Sequence, residues 1–167
     1  MDRDLSHFRP SKLWKRLPLE RRIQAAGLFW NDEHSTDQQV EAVSSIAAHM
    51  KFRPRSVIAL PPDRRARYLA QVPNLSDSIA ARALVSYHLD QRRPMMAAFL
   101  DMLGIPHENG LIAEERVPKP DDAKIRQAAR ELATKFPKEE VALYLSTLVS
   151  QDPDTWEALV DLPETQG

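Results

Sequence analysis

The sequence predicts an all-α fold in which one helical unit recurs about three times, and three observations predict it. First, residues 76–106 read as a helix carrying Ile79, Val85 and His88, a break at Arg92-Arg93-Pro94, and a second helix through Phe99 and Leu103 to Gly104. Residues 37–61 follow the same plan with Val40, Ile46 and His49, then Arg53-Pro54, then Val57 and Leu60; residues 137–163 repeat it with Leu145 and Leu148, Asp152-Pro153, then Trp156 and Leu159. Second, Leu60-Pro61-Pro62-Asp63-Arg64-Arg65 echoes Leu17-Pro18-Leu19-Glu20-Arg21-Arg22 at a spacing of 43 residues. Third, no stretch of four or more residues alternates apolar and polar as a half-buried strand would.

Taken in order, residues 1–16 form an N-terminal arm in which Leu5, Phe8, Leu13 and Trp14 alternate with Arg9, Lys12, Lys15 and Arg16. Stacked repeats need covered ends, so this arm is expected to lay Phe8, Leu13 and Trp14 over the open end of the first unit. Pro18 stands where a helix begins, because its missing N–H is no loss there. Ile23, Ala26, Phe29 and Trp30 make that helix's apolar stripe. Thr36 with Gln39 three residues later reads as a capping box opening the next helix, which buries Ala42, Val43, Ile46 and Met50 and is ended by Pro54. In the second unit Tyr68 and Leu69 face inward, Pro73 stops the helix, Ser76 caps its successor, and Gly104 ends the helix from Pro94 as a left-handed residue.

A connector over 106–119 contains the turn signal Asn109-Gly110. The third unit opens at Pro120-Asp121-Asp122, its second helix at Pro137 and its last at Asp152-Pro153, and Pro163 is expected to end the ordered chain. The expected organisation is one domain over 1–167, with units at 18–60, 61–105 and 120–162. A compact helical bundle is the alternative architecture.

In unit length and helix count this layout resembles the HEAT and armadillo class of helical repeats, over residues 18–162 and through generic features: prolines at helix starts and apolar spacing. The resemblance implies a curved surface that binds peptides, proteins or sometimes nucleic acid.

Composition narrows the function further. The chain has no cysteine, which removes disulfides and thiolate zinc sites, and only four glycines, too few for phosphate-cradling loops. No apolar run reaches the roughly 18 residues a membrane span needs, and the N-terminus lacks a signal-peptide apolar region, so a cytoplasmic protein with no membrane association is expected. Net charge is −1, yet residues 1–100 hold 16 Lys/Arg against 10 Asp/Glu while residues 101–167 hold 7 against 14.

Arg21-Arg22 and Arg64-Arg65, with Arg67, sit in or near the first turns of equivalent helices, where the macrodipole disfavours cations. A local rule broken twice at matching places points to a basic ridge for a partner; Glu20 and Asp63 as local neutralisers are the plainer account. His49 and His88 occupy matching places, but the third unit has Leu148 there, so both are expected at the core edge and not on a metal. His107-Glu108-Asn109 offers a base, a carboxylate and an amide, with Asp101 and Glu114 as candidate partners, but it lacks the His-Glu-x-x-His spacing of a zinc site. No catalytic, cofactor or metal constellation is expected. The expected function is a non-enzymatic binding or adaptor module for a protein or peptide, with contacts at Arg21, Arg22, Arg64, Arg65 and Arg67. The alternative is nucleic-acid binding through the same arginines and the basic aromatic arm.

Overall fold

Proline placement accounts for much of the element order. A computed structural model describes residues 4–113 and 118–166, and 74% of these are helical, so the fold is all-α. The helices are α1 (Pro10–Arg16), α2 (Leu19–Asn31), α3 (Thr36–Met50), α4 (Pro54–Ile58), α5 (Pro62–Gln71), α6 (Asp77–Gln91), α7 (Arg93–Leu103), α8 (Asp122–Lys135), α9 (Lys138–Gln151) and α10 (Pro163–Gln166). Pro18, Pro61 and Pro137 occupy the residue before a helix, and Pro54, Pro62 and Pro94 lie in a first turn. No described helix is long and apolar enough to cross a membrane.

The chain forms two compact units: Arg9–Asp90, and Met1–Phe8 together with Gln91–Gly167. In the first, α2 and α5 pack side by side through small residues, and a β-carbon on Gly27 would sit 4.0 Å from that of Ala66. Ala25, Ala26, Phe29, Leu69 and Ala70 are buried there. The loop after α2 is tied to α6 by a polar knot. Asp32 accepts hydrogen bonds from the His34 N–H (2.9 Å), Ser35 Oγ (2.7 Å), Arg82 Nη2 (3.2 Å) and Ser86 Oγ (3.3 Å). Arg9 and the Ser11 N–H bind Asp77 at the start of α6, which anchors α1.

The second unit is built around α9, buried on every face from Glu140 to Val149. The turn Ser6–Phe8, helix α8, the 3-10 turn Glu157–Leu159 and α10 pack against it. Phe99 of α7 meets the Tyr144 ring edge-on, centroids 5.8 Å apart, and lies 5.7 Å from Trp156. Arg92 grips Glu140 with two hydrogen-bonded contacts, Nε to Oε2 at 2.9 Å and Nη2 to Oε1 at 2.8 Å.

Several sequence expectations change in detail. Phe8, Leu13 and Trp14 are all buried, and the Ser6–Phe8 turn lies on α9. Gln39 caps no N-terminus; its side-chain amide donates to the carbonyls of Phe29, Trp30 and Asp32, closing the end of α2. Val40 is exposed, and Val43 and Met50 are only half-buried. No helix starts at Pro153, because Asp152 accepts from both the N–H and the hydroxyl of Thr155, which fixes a tight turn before the 3-10 segment Glu157–Leu159. Pro163 opens α10 instead of ending order, and Gly167 lies outside the described residues.

The connector holds a β-hairpin, strands His107–Glu108 and Leu111–Ile112, with register His107↔Ile112. Its two-residue turn has Asn109 at φ 48 and Gly110 at φ 91, the left-handed pair an Asn-Gly hairpin turn requires.

Candidate interaction surface

The arginines singled out in the sequence do not share one environment. Arg21 is half-buried and donates from Nη1 to the Tyr87 hydroxyl at 2.7 Å, which makes it a packing residue linking α2 to α6. Arg22 is half-buried, and its Nε is shielded without a hydrogen-bond acceptor. Arg65 lies over the Trp30 ring, 5.1 Å from the centroid, a cation–π contact of about 0.5–2 kcal/mol. Because Arg65 meets Trp30 and Ala66 meets Gly27, the start of α5 lies beside the second half of α2. Arg21, six residues before Gly27, is therefore about 9 Å away along the helix axis. Arg64 and Arg67 are exposed, and among the described residues neither is paired with a carboxylate.

A second set of residues joins Arg64. Lys51 ends α3 in the left-handed conformation (φ 57), and the Phe52 N–H returns to the Ala47 carbonyl at 2.9 Å. This turn sends the Phe52 ring back to α5, where it meets Tyr68 edge-on, centroids 5.7 Å apart at 82°. Arg64 stands one helical turn before Tyr68, on the same face. Lys51 and Arg53 flank Phe52, while Arg55 and Ile58 share a face of the short α4. Lys51, Arg53, Arg55, Arg64 and Arg67 are all exposed, and so are Phe52 (36%) and Ile58 (63%). The residues 51–68 hold six Lys/Arg and one acid, Asp63. The net charge of this stretch equals that of the whole unit Arg9–Asp90, which holds 13 Lys/Arg against 8 Asp/Glu. The sequence pattern did not single out Lys51, Phe52, Arg53, Arg55 or Ile58 as candidate contacts. The signal was the run Lys-Phe-Arg-Pro-Arg, read there only as a helix break.

The histidines separate. His49 is exposed in the last turn of α3, which corrects its expected place at the core edge, whereas His88 is buried with Nδ1 2.9 Å from the Leu84 carbonyl. Among the described residues no group of three or more His, Asp or Glu is placed to hold a metal. In the hairpin, His107 Nδ1 accepts from the Gly110 N–H at 3.0 Å, which places the proton on Nε2, 2.6 Å from Asp101 Oδ1. Asp101, one of the two candidate partners, is therefore in contact with His107. Both ring nitrogens are nevertheless engaged in holding the turn, and Glu114 lies outside the described residues. A cleft of about 300 Å³ between α8, α9 and α10 is lined by Arg130, Ala133, Thr134, Lys138, Pro163 and Glu164, two cations and one carboxylate with no nucleophile–base pair.

Comparison with protein-family models, curated proteins and solved structures finds no match to this chain.

Proposed function

We propose that this chain is a cytoplasmic, non-enzymatic binding module that presents a helical surface to a protein or peptide partner. The observation that carries the reading is the pair Arg64 and Arg67: exposed cations three residues apart on α5, without a carboxylate partner among the described residues. Arg64, in the first turn, works against the helix dipole, and neither cation gains an ion pair for the fold. Arg21 and Arg65 serve packing instead, so the contact set is narrower than the five arginines of the sequence reading. The same proposal includes a HEAT-like array over 18–60, 61–105 and 120–162 within one domain. The direct packing of α2 on α5, the leading helices of the first two copies, supports that array. The all-round burial of α9 supports instead a compact bundle for the part containing the third copy.

Affinity capture from the native host, with and without nuclease, tests the functional reading. A protein that survives nuclease and is lost with Arg64→Glu/Arg67→Glu supports it; co-purification of nucleic acid in its place refutes it. Nucleic-acid binding is the second reading, favoured by the same cations. It is weakened by the burial of Phe8 and Trp14, which removes the aromatic arm as a stacking platform.

A further inference from the structure

We infer that the surface around the Phe52–Tyr68 ring pair is a docking site for an acidic peptide segment that also carries apolar side chains. This inference rests on the binding-module reading and names its partner class. Six of the seven ionisable Lys, Arg, Asp and Glu residues between 51 and 68 are cationic, and five of those cations are exposed. With no acidic residue in this stretch except Asp63, its cations repel one another, and an anionic ligand removes that repulsion.

Exposed apolar side chains favour one kind of anion. Ile58 is 63% exposed and Phe52 36% exposed in the same stretch as these cations, so it offers an aliphatic and an aromatic contact among basic residues. An apolar centre with a charged rim is the anatomy of a peptide interface. A phosphate backbone would leave Ile58 in water, and a single-stranded base would need an open ring face. The Phe52 ring is engaged edge-to-face with Tyr68, and the Trp30 ring is covered by Arg65. The chain as a whole has net charge −1 and pI near 6.5, so it lacks the global basic field that carries non-specific nucleic-acid binding. The cations that matter are local.

The test is fluorescence anisotropy of the full chain with three labelled probes of equal length: a peptide of Asp/Glu interspersed with Leu and Phe, oligo-Glu, and oligo-dT. The expected result is tightest binding to the mixed acidic–apolar peptide. Arg53→Glu and Ile58→Ser should each weaken it by about tenfold, with helical circular dichroism unchanged. Ile58 is exposed enough that its replacement leaves the fold intact, so it serves as the control for any folding defect in a charge-reversal variant. Oligo-Glu binding as tightly as the mixed peptide would overturn the apolar contact, and oligo-dT binding tightest would overturn the partner class. Failure of the mixed peptide to bind, or binding unaffected by both substitutions, would overturn the site. Capture of a nuclease-resistant protein partner by both parent and the Arg53→Glu/Ile58→Ser variant would leave the binding-module reading standing and place its contact elsewhere. Capture by neither would defeat both.

Discussion

Replacing Arg92 should cost more than replacing its partner Glu140, although one ion pair is lost either way. The pair is bidentate, with N···O distances of 2.9 and 2.8 Å, but its two ends differ: the Glu140 side chain is 9% exposed and the Arg92 side chain 22%. Two charge-assisted hydrogen bonds contribute about 1.5 kcal/mol each, or about 3 kcal/mol together. Arg92→Met removes both, with the Nη1 bond to the Gln91 carbonyl, and takes the guanidinium from a carboxylate in a nearly dry site, so a loss of about 3–5 kcal/mol is expected. Glu140→Gln keeps one acceptor oxygen and leaves the cation at the wetter end, for an expected loss of about 1–2 kcal/mol. The double change Arg92→Met/Glu140→Leu fills the space without charge and should fall within about 1 kcal/mol of the parent. Urea unfolding followed by circular dichroism gives all three values and the coupling energy. Equal losses for the two single variants, or a double variant that simply sums them, would refute the argument that desolvation of Glu140 dominates.

Gly110→Ala should destabilise by more than about 2 kcal/mol, because a left-handed β-carbon there would meet Met96 Cβ at 2.9 Å and the Arg93 carbonyl at 3.1 Å. Gly104→Ala shares the positive φ but meets nothing within 4 Å, so only the conformational term of about 1 kcal/mol is expected; thermal melts rank the two. For Asp32 and Asp77, burial pushes each carboxyl up. Hydrogen bonds from Ser35, the His34 N–H and Ser86 with the Arg82 charge, and from Ser11 with Arg9, outweigh that and hold both below the ordinary value. Their stabilisation is present above the unfolded carboxylate range and is lost as pH falls through the lower folded values. Asp77→Asn should therefore melt below the parent at neutral pH and converge with it once pH has fallen through the lowered folded value. Pro54→Ala and Pro94→Ala should each cost about 0.5–1 kcal/mol in urea, since both prolines sit in a first helical turn; a gain in stability would mean they kink a longer helix.

What was legible in the sequence was local. Prolines at helix starts, Ser76 accepting the Ile79 N–H, Gly104 at φ 68 and the Asn109-Gly110 turn each depend on a few neighbouring residues, and each is where the pattern placed it. The candidate site depends on pairs far apart in the chain. Arg65 on Trp30 and Phe52 on Tyr68 arise only once α2, α3 and α5 pack, and no spacing rule joins them. Matching places in a repeat also failed to fix burial. His49 and His88 stand alike in their copies, but His49 lies in an exposed last turn, just before a left-handed residue. The short helix expected at Pro153 is absent for a similarly local reason, since the Asp152 carboxylate accepts from the Thr155 N–H and hydroxyl. A carboxylate before a proline reads equally well as a helix cap.

The packing of the Ser6–Phe8 turn on α9 carries a consequence for how the molecule is made. The compact unit that contains α9 is discontinuous in the chain, with Arg9–Asp90 inserted into it. During synthesis Phe8 leaves the ribosome well over a hundred residues before α9 follows, so it must wait, solvated, for its binding place. Closing so long a loop is slow, though lengthening it further adds little entropy. The inserted unit has all its own residues by Asp90, before any of α9 is made. Trimming the first eight residues would therefore be felt at the other end of the chain, in the packing of its most buried helix.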